Sequence, residues 1–314
     1  MWSLKAVPSQ AGQVVVVTGA NGGLGLAAAK AFAGKGAHVV MAVRNQDKAR
    51  AAREAILHAH PDASLELVAL DLASQASVSR AAAQILTTHP VIDVLLNNAG
   101  IMAVREGRTE DGFERQFGVN HLGHWTLTAG LLPAILAAPQ GRVVTVTSTA
   151  QHLGRGVDPD NPHLLGAYGP FKAYGQAKLA NRHFAVGLHR LFDEVGVTAR
   201  SLAAHPGLTD TDLQSRVAGS PRRGALARLA PRMLAAGMDT DRGALSYLRA
   251  ATDPDAPGGA MYGPAFVTHG PPVRKPLVRP GTDRAIESLW ATSERETGVA
   301  IDASTVAAAA ARVA

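Results

Sequence analysis

Short apolar runs alternate with longer stretches of helix-forming residues along most of this chain. The runs VVVV (14–17), AHVVMAV (37–43), SLELVAL (64–70), VIDVLLN (91–97), RVVTVTS (142–148) and GVTARSLA (196–203) predict strands. Between them the spacing predicts helices near 23–34, 46–59, 74–88, 109–137 and 173–194. Such alternation predicts an α/β fold: a doubly wound parallel sheet with helices on both faces, joined by right-handed crossovers. No composition shift or long polar linker precedes about residue 215, and no solenoid-type repeat is present. A single domain over 1–301 is expected, with 302–314 (DASTVAAAAARVA) as a low-complexity tail.

Composition adds limits to this picture. With 314 residues, 46% hydrophobic and 18% charged, the chain can bury a sizeable core. It has no cysteine, which excludes disulfide and thiolate chemistry. The first residues, MWSLKAVPSQAGQ, lack the apolar region of a secretory signal, and no run approaches the ~20 apolar residues of a membrane span. A cytoplasmic location is expected. The net charge of +6 gathers late, in SRVAGSPRRGALARLAPR and PPVRKPLVRP. These read as a solvated helix face and loop, with peripheral membrane contact through 216–232 as the alternative. With 4% aromatic residues and no recognisable module, no nucleic-acid partner is expected.

In a sheet of this kind, ligands bind beyond the carboxyl ends of the strands. Every distinctive stretch falls there: the glycine-rich TGANGGLG, then RNQDK, DLAS, NNAG, STAQHLG and HPGLTDT. The first offers a close backbone approach and a helix N-terminus, which together favour a phosphate. The ending needed for a Walker loop is missing. A GxGxxG/A frame on Gly23, Gly25 and Ala28 starts too late; Gly19-xxx-Gly23-x-Gly25 fits the end of the strand.

The ordered set Thr18-Gly19-xxx-Gly23-x-Gly25, Asp71-Leu72, Asn97-Asn98-Ala99-Gly100, Asn120, Ser148, Tyr174-xxx-Lys178 and Pro206-Gly207 resembles the short-chain dehydrogenase/reductase family. FGVNHLGHW, QHLGR, KLAN and LWATSERETGV are similar to its retinol-dehydrogenase-like branch and bacterial relatives. The resemblance implies a Rossmann-like fold and a nicotinamide cofactor that carries a hydride between an alcohol and a carbonyl. Tyr174 and Lys178, four apart on a helix, share one face. Tyr174 would be the acid/base, Lys178 would lower its pKa and hold the ribose, and Ser148 would polarise the carbonyl. Asn120 would anchor a water in a proton relay. Gly19, Asn21, Gly23, Leu24, Gly25, Asp71, Leu72, Asn98, Ala99, Gly100, Pro206, Gly207, Thr209 and Thr211 would line the cofactor. Family members often pair through the helices at 109–137 and 173–194, which implies a homodimer or homotetramer.

Rival readings narrow the set. Tyr168-xxx-Lys172 has the same spacing, but Gly169 and Pro170 would break the helix it needs. Thr147 competes with Ser148, and the family places serine in the second slot. His121 and His124 form an HxxH without a third ligand, so a structural role is expected and no metal. His205 reads as packing or loop hydrogen bonding, and Asp71 as a helix N-cap, an adenine contact or both. An NAD enzyme wants an acid at the end of the second strand. Val43 stands there, followed by Arg44 and, a turn on, Lys48, with Asp47 facing solvent; NADP is therefore expected. Substrate-side loops are expected over about 152–170 and 208–240, where LARLAPRMLAAGM suggests a hydrophobic alcohol or carbonyl. The alternative is a non-catalytic dinucleotide-binding sensor or scaffold.

Overall fold

The computed structural model describes residues 2–209, 238–276 and 281–312. The valine run becomes β1 (Val14–Thr18), and the glycine turn leads into α1 (Gly23–Gly34). Then follow β2 (His38–Val43), α2 (Gln46–Ala59), β3 (Ser64–Ala69), α3 (Gln75–Thr88) and β4 (Val94–Asn97). A short turn α4 (Arg115–Phe117), a π-helical segment at Gly118–Leu122 and α5 (Gly123–Ala137) precede β5 (Arg142–Val146). The chain continues through α6 (Pro170–Val195), β6 (Arg200–Ala204), α7 (Thr240–Thr252), β7 (Met261–Pro264), β8 (Pro272–Lys275), α8 (Thr282–Thr297) and α9 (Ala303–Ala311).

The strands form one sheet in the order β3-β2-β1-β4-β5-β6-β7-β8, parallel throughout except for the antiparallel β7–β8 pair. Strand order reverses between β1 and β4, which opens a crevice at their carboxyl ends. Four consecutive valines are needed because both faces of β1 are covered. Val16, Val40, Leu95 and Val143 pack on one side with Phe117, Trp125 and Phe184. Val15, Val17, Leu96 and Val144 pack on the other with Phe32, Ile56 and Tyr247.

Several boundaries differ from the sequence expectation. β4 starts at Val94 because Asp93 turns its carboxylate to accept the Val14 N–H at 2.8 Å, and Ile92 donates to Ala134 O. β6 starts at Arg200 because Gly196, at φ +75°, closes α6 in the left-handed region that glycine tolerates. The helix expected from 109 begins at Arg115, where the Glu114 carboxylate accepts from Gln116 N and Phe117 N. The helix expected from 173 begins at Pro170, a residue suited to a first turn. The tail is a capped helix: Asp302 and Thr305 form a capping box, and Val306 and Ala309, three apart, are buried in the core with Trp125. Alanine is the best helix former, so a low-complexity run reads here as structure. No helix among the described residues is long and apolar enough to cross a membrane.

Candidate active site

The ends of β1 and β4 are joined through one hydroxyl. Thr18 Oγ1 accepts from Asn98 N and from Ala99 N, each at 2.9 Å, and lies 2.9 Å from His124 Nε2. Asn98 Nδ2 donates to Thr18 O at 2.8 Å. Gly19 (φ +69°) and Gly25 fit into this junction: a Cβ on Gly25 would stand 2.3 Å from Gly19 O and 2.5 Å from Asn98 Nδ2. The N-cap of α1 is Gly22, so no side chain covers the first amides of the helix, and a Cβ there would meet open space. Asn21 and Leu24, both half-buried, flank this opening. The result is a bare helix N-terminus against a backbone cradle, which fits a phosphate.

Across the crevice, β5 and α6 bring Ser148, Tyr174 and Lys178 together. Tyr174 is buried and its hydroxyl hydrogen-bonds with Ser148. Lys178 lies one turn on, with Nζ 5.8 Å from the Tyr174 ring centroid and donating to Val146 O at 3.1 Å. Burial brings Lys178 down to about 8. Burial also pushes the Tyr174 phenol above its ordinary value, against the pull of the Ser148 hydrogen bond. Desolvation is thus the dominant influence on Tyr174, and the Lys178 ammonium is held on the Val146 carbonyl.

Asn120 sits in the π-helical segment, a feature frequent at functional sites. Its Oδ1 accepts from Ile101 N at 2.8 Å and its Nδ2 donates to Ile101 O at 2.9 Å. A Cβ on Gly100 would stand 2.9 Å from Asn120 Oδ1 and 3.5 Å from Lys178 Nζ, so the strand end, the π segment and the lysine meet at that glycine.

At the far side of the crevice, Arg44 is 72% exposed, with Nη1 3.9 Å from Asp71 Oδ2. A carboxylate that the sequence reading did not place beside Arg44 is therefore present. Asp71 is not a helix N-cap: its Oδ1 accepts from Ala73 N in the preceding turn, and Ser74 caps α3. Val43 and Leu72 are buried, while Asp47 faces solvent beside Arg50. Beyond β6, Gly207 (φ +77°) is packed so closely that a Cβ would stand 2.6 Å from Pro264 Cγ and from Thr268 O. Next to it lie the half-buried Pro206 and the buried Thr209, which bridges Met238. Thr211 and the basic segment 216–232 lie outside the described residues, as does most of the loop 208–240.

The rival residues have other partners. Tyr168 precedes α6 and donates to Val104 O at 2.7 Å, while Lys172 donates to Ala167 O. Thr147 donates to Lys178 O at 2.6 Å and so supports the helix. His121 bonds Ser293 Oγ, and His205 Nδ1 accepts from Gly207 N. Burial lowers His121 to about 3, and His124 and His205 to about 4. Sequence reasoning missed Gln116, which accepts from Ala103 N at 2.7 Å and donates to Pro170 O at 2.9 Å, fixing the loop after Gly100 to the start of α6. It also missed the Thr18–His124 contact, for which no local signal exists.

Residues 13–220 match the family model for short chain dehydrogenase. The chain is 35% identical to mouse polyprenol dehydrogenase over 93% of its own length and 86% of the relative's. It is 39% identical to human retinol dehydrogenase 13 over 66% of its length and 63% of that enzyme's. Across curated relatives the alignment spans as little as 58% of the relative. A crystal structure from Mycobacterium Paratuberculosis superposes with a TM-score of 0.76 at 38% identity, covering 95% of this chain and 98% of that one. A Beutenbergia cavernae structure with bound NADP gives 0.64 at 25% identity, covering 81% and 96%. This chain belongs to the short-chain dehydrogenase/reductase family and is retinol-dehydrogenase-like.

Proposed function

We propose that this protein is an NADP(H)-dependent dehydrogenase/reductase of hydrophobic alcohols and their carbonyls, acting through Tyr174, Ser148, Lys178 and Asn120. The observation that carries it is the buried Tyr174 hydroxyl bonded to Ser148 one helical turn from Lys178, on the far side of the crevice from the glycine cradle. When bound, the nicotinamide dinucleotide supplies or accepts the hydride. Gly19, Gly23 and Gly25 with the first turn of α1 would hold its pyrophosphate, Asn98 to Gly100 would back the nicotinamide side, and Lys178 would reach the ribose. Pro206, Gly207 and Thr209 would border the nicotinamide. Arg44 would face the 2′-phosphate; a cation there and NADP in a solved relative favour NADP over NAD.

Tyr174 holds the proton that the carbonyl oxygen receives in reduction, and takes it back in oxidation. Ser148 donates to the same oxygen as charge develops on it. The Lys178 charge, one helical turn from Tyr174, would favour the phenolate, and Asn120 would support the relay that reprotonates Tyr174. An apolar substrate suits the exposed side chains near the site: Leu153 (79%), Leu165 (58%) and Phe171 (48%) all lie within a few residues of Ser148 or Tyr174, or in the loop between them. The single-domain organisation and pairing through α5 and α6 belong to the same proposal.

The test is purified protein with NADPH or NADH and a panel of aldehydes and ketones graded by apolar size, followed at the reduced-nicotinamide absorbance. Turnover that rises with apolar size and prefers NADPH is expected. Tight cofactor binding without turnover of any carbonyl or alcohol would overturn the reading in favour of a non-catalytic sensor or scaffold.

A further inference from the structure

At the amino end of the sheet, away from the crevice, three side chains converge with no part in the proposed chemistry. His38 opens β2, Glu66 lies in the neighbouring edge strand β3, and His89 caps the carboxyl end of α3. Glu66 Oε2 stands 2.7 Å from His89 Nε2 and 3.7 Å from His38 Nε2, and the two imidazole rings are 4.9 Å apart. Among the described residues this is the one group of three histidine or carboxylate ligands whose donor atoms all lie within 4.8 Å of one another.

A histidine–carboxylate ion pair would account for His89 and Glu66, but it leaves His38 unexplained. His38 Nε2 is buried and has no hydrogen-bond partner. Its other nitrogen, Nδ1, lies 2.7 Å from Ser64 Oγ, in the strand register that pairs His38 with Ser64. With Nδ1–H donating to Ser64, the ring presents the Nε2 lone pair to Glu66 and His89. A hydrogen bond on the second imidazole nitrogen is what orients a metal-ligating histidine.

We propose that His38, Glu66 and His89 form a divalent transition-metal site, suited to Zn²⁺, that braces the edge strand β3 against β2 and the end of α3. Zn²⁺ bonds nitrogen and carboxylate oxygen at about 2.0–2.2 Å, so tetrahedral donors stand roughly 3.3 Å apart. The distances of 2.7 and 3.7 Å bracket that value. Two imidazoles and a single carboxylate do not suit Ca²⁺ or Mg²⁺, which demand oxygen ligands. All three side chains are partly exposed, so water can complete the coordination. β2 carries His38 at one end and Val43, next to Arg44, at the other, about 17 Å away at ~3.3 Å per residue. The site is therefore separate from the crevice.

The experiment uses the tag-free full chain, stripped with chelator and titrated with Zn²⁺ against a chromophoric indicator, with Co²⁺ as a spectroscopic reporter. One equivalent should bind, Co²⁺ should give the intense visible bands of a tetrahedral site, and Tm should rise by a few degrees at ~100-fold excess over Kd. Glu66→Gln, His38→Ala and His89→Ala should each weaken binding by about tenfold or more. His58→Ala, on the exposed last turn of α2, should leave it unchanged. Far-UV circular dichroism in chelator identifies a variant that fails to fold; Glu66→Gln, nearly isosteric, then decides. No uptake by the wild type, or undiminished uptake by folded Glu66→Gln, overturns the proposal.

Discussion

Thr18 and His124 are joined by a 2.9 Å hydrogen bond between Oγ1 and Nε2, across 106 residues of sequence. His124 Nδ1 lies 3.1 Å from Asn120 O and donates to it, so Nε2 is the acceptor and the Thr18 hydroxyl the donor. That hydroxyl also accepts from Asn98 N and Ala99 N, which uses its full capacity. One side chain thus ties the glycine turn, the end of β4 and the π segment carrying Asn120. Thr18→Val keeps the shape but strips Ala99 N and His124 Nε2 of their partner, at about 1–3 kcal/mol for each left unsatisfied, whereas Asn98 N keeps Leu96 O at 2.9 Å. Urea unfolding should show a loss in that range, with weaker cofactor binding, and Thr18→Ser should recover most of both. Equal stability of the valine and serine variants would refute the assignment.

The buried histidines make stability depend on pH. His121 is held to about 3, and His124 and His205 to about 4, by burial, whereas an unfolded histidine titrates near ~6.5. Between these values the unfolded chain binds protons that the folded chain refuses. Stability is therefore complete above ~6.5 and falls as pH drops toward ~4, by about 1.4 kcal/mol per pH unit for each histidine. Urea midpoints measured at pH 7 and pH 5 check this. A flat profile across that window would contradict the neutral, buried rings.

Tyr174→Phe removes only a hydroxyl bonded to Ser148. The fold and cofactor binding should persist while kcat falls by about 10²–10⁴, the range of a positioned acid/base. Tyr168→Phe loses a bond to the Val104 carbonyl in a loop and should keep near-normal kcat. Steady-state kinetics on both variants distinguish them, and the reverse outcome would transfer the role to Tyr168.

Elements with strong local signals were legible in the sequence. The helices at Gly23–Gly34 and Gln46–Ala59 have the expected bounds, because a glycine turn and an Asn45 cap mark their starts. Tyr174 and Lys178 were legible for the same reason: their spacing is helical and the helix is continuous. The π segment was not, since one extra residue per turn barely disturbs an apolar pattern already buried on several sides. Nor was the four-residue β8, which pairs antiparallel with β7 through contacts no local period encodes. The meeting of His38 with Glu66 and His89 depends on strand register and the end of a helix, so it emerges only in the fold.

The proposed preference for NADP rests on Arg44. Its guanidinium is 3.9 Å from Asp71 Oδ2 and 72% exposed, so water screens the pair and little holds the side chain in place. A 2′-phosphate would offer it a charge-assisted, bidentate partner instead. Hydrogen bonds to charged groups contribute about 1.5–3 kcal/mol net, or roughly one to two decades in affinity. Arg44→Ala should weaken NADPH binding about 10- to 100-fold and leave NADH nearly unchanged. Asp71→Asn removes a competitor for the guanidinium and should not weaken NADPH through charge. Val43→Asp would add an acid that repels the phosphate and accepts from a ribose hydroxyl. Val43 is buried, however, so that variant should also lose stability and is the less direct test. Titrating both cofactors against wild type, Arg44→Ala and Asp71→Asn by fluorescence gives the affinities. If the wild type binds NADH as tightly as NADPH, and Arg44→Ala changes neither, the phosphate has no partner at Arg44 and the NADP assignment fails.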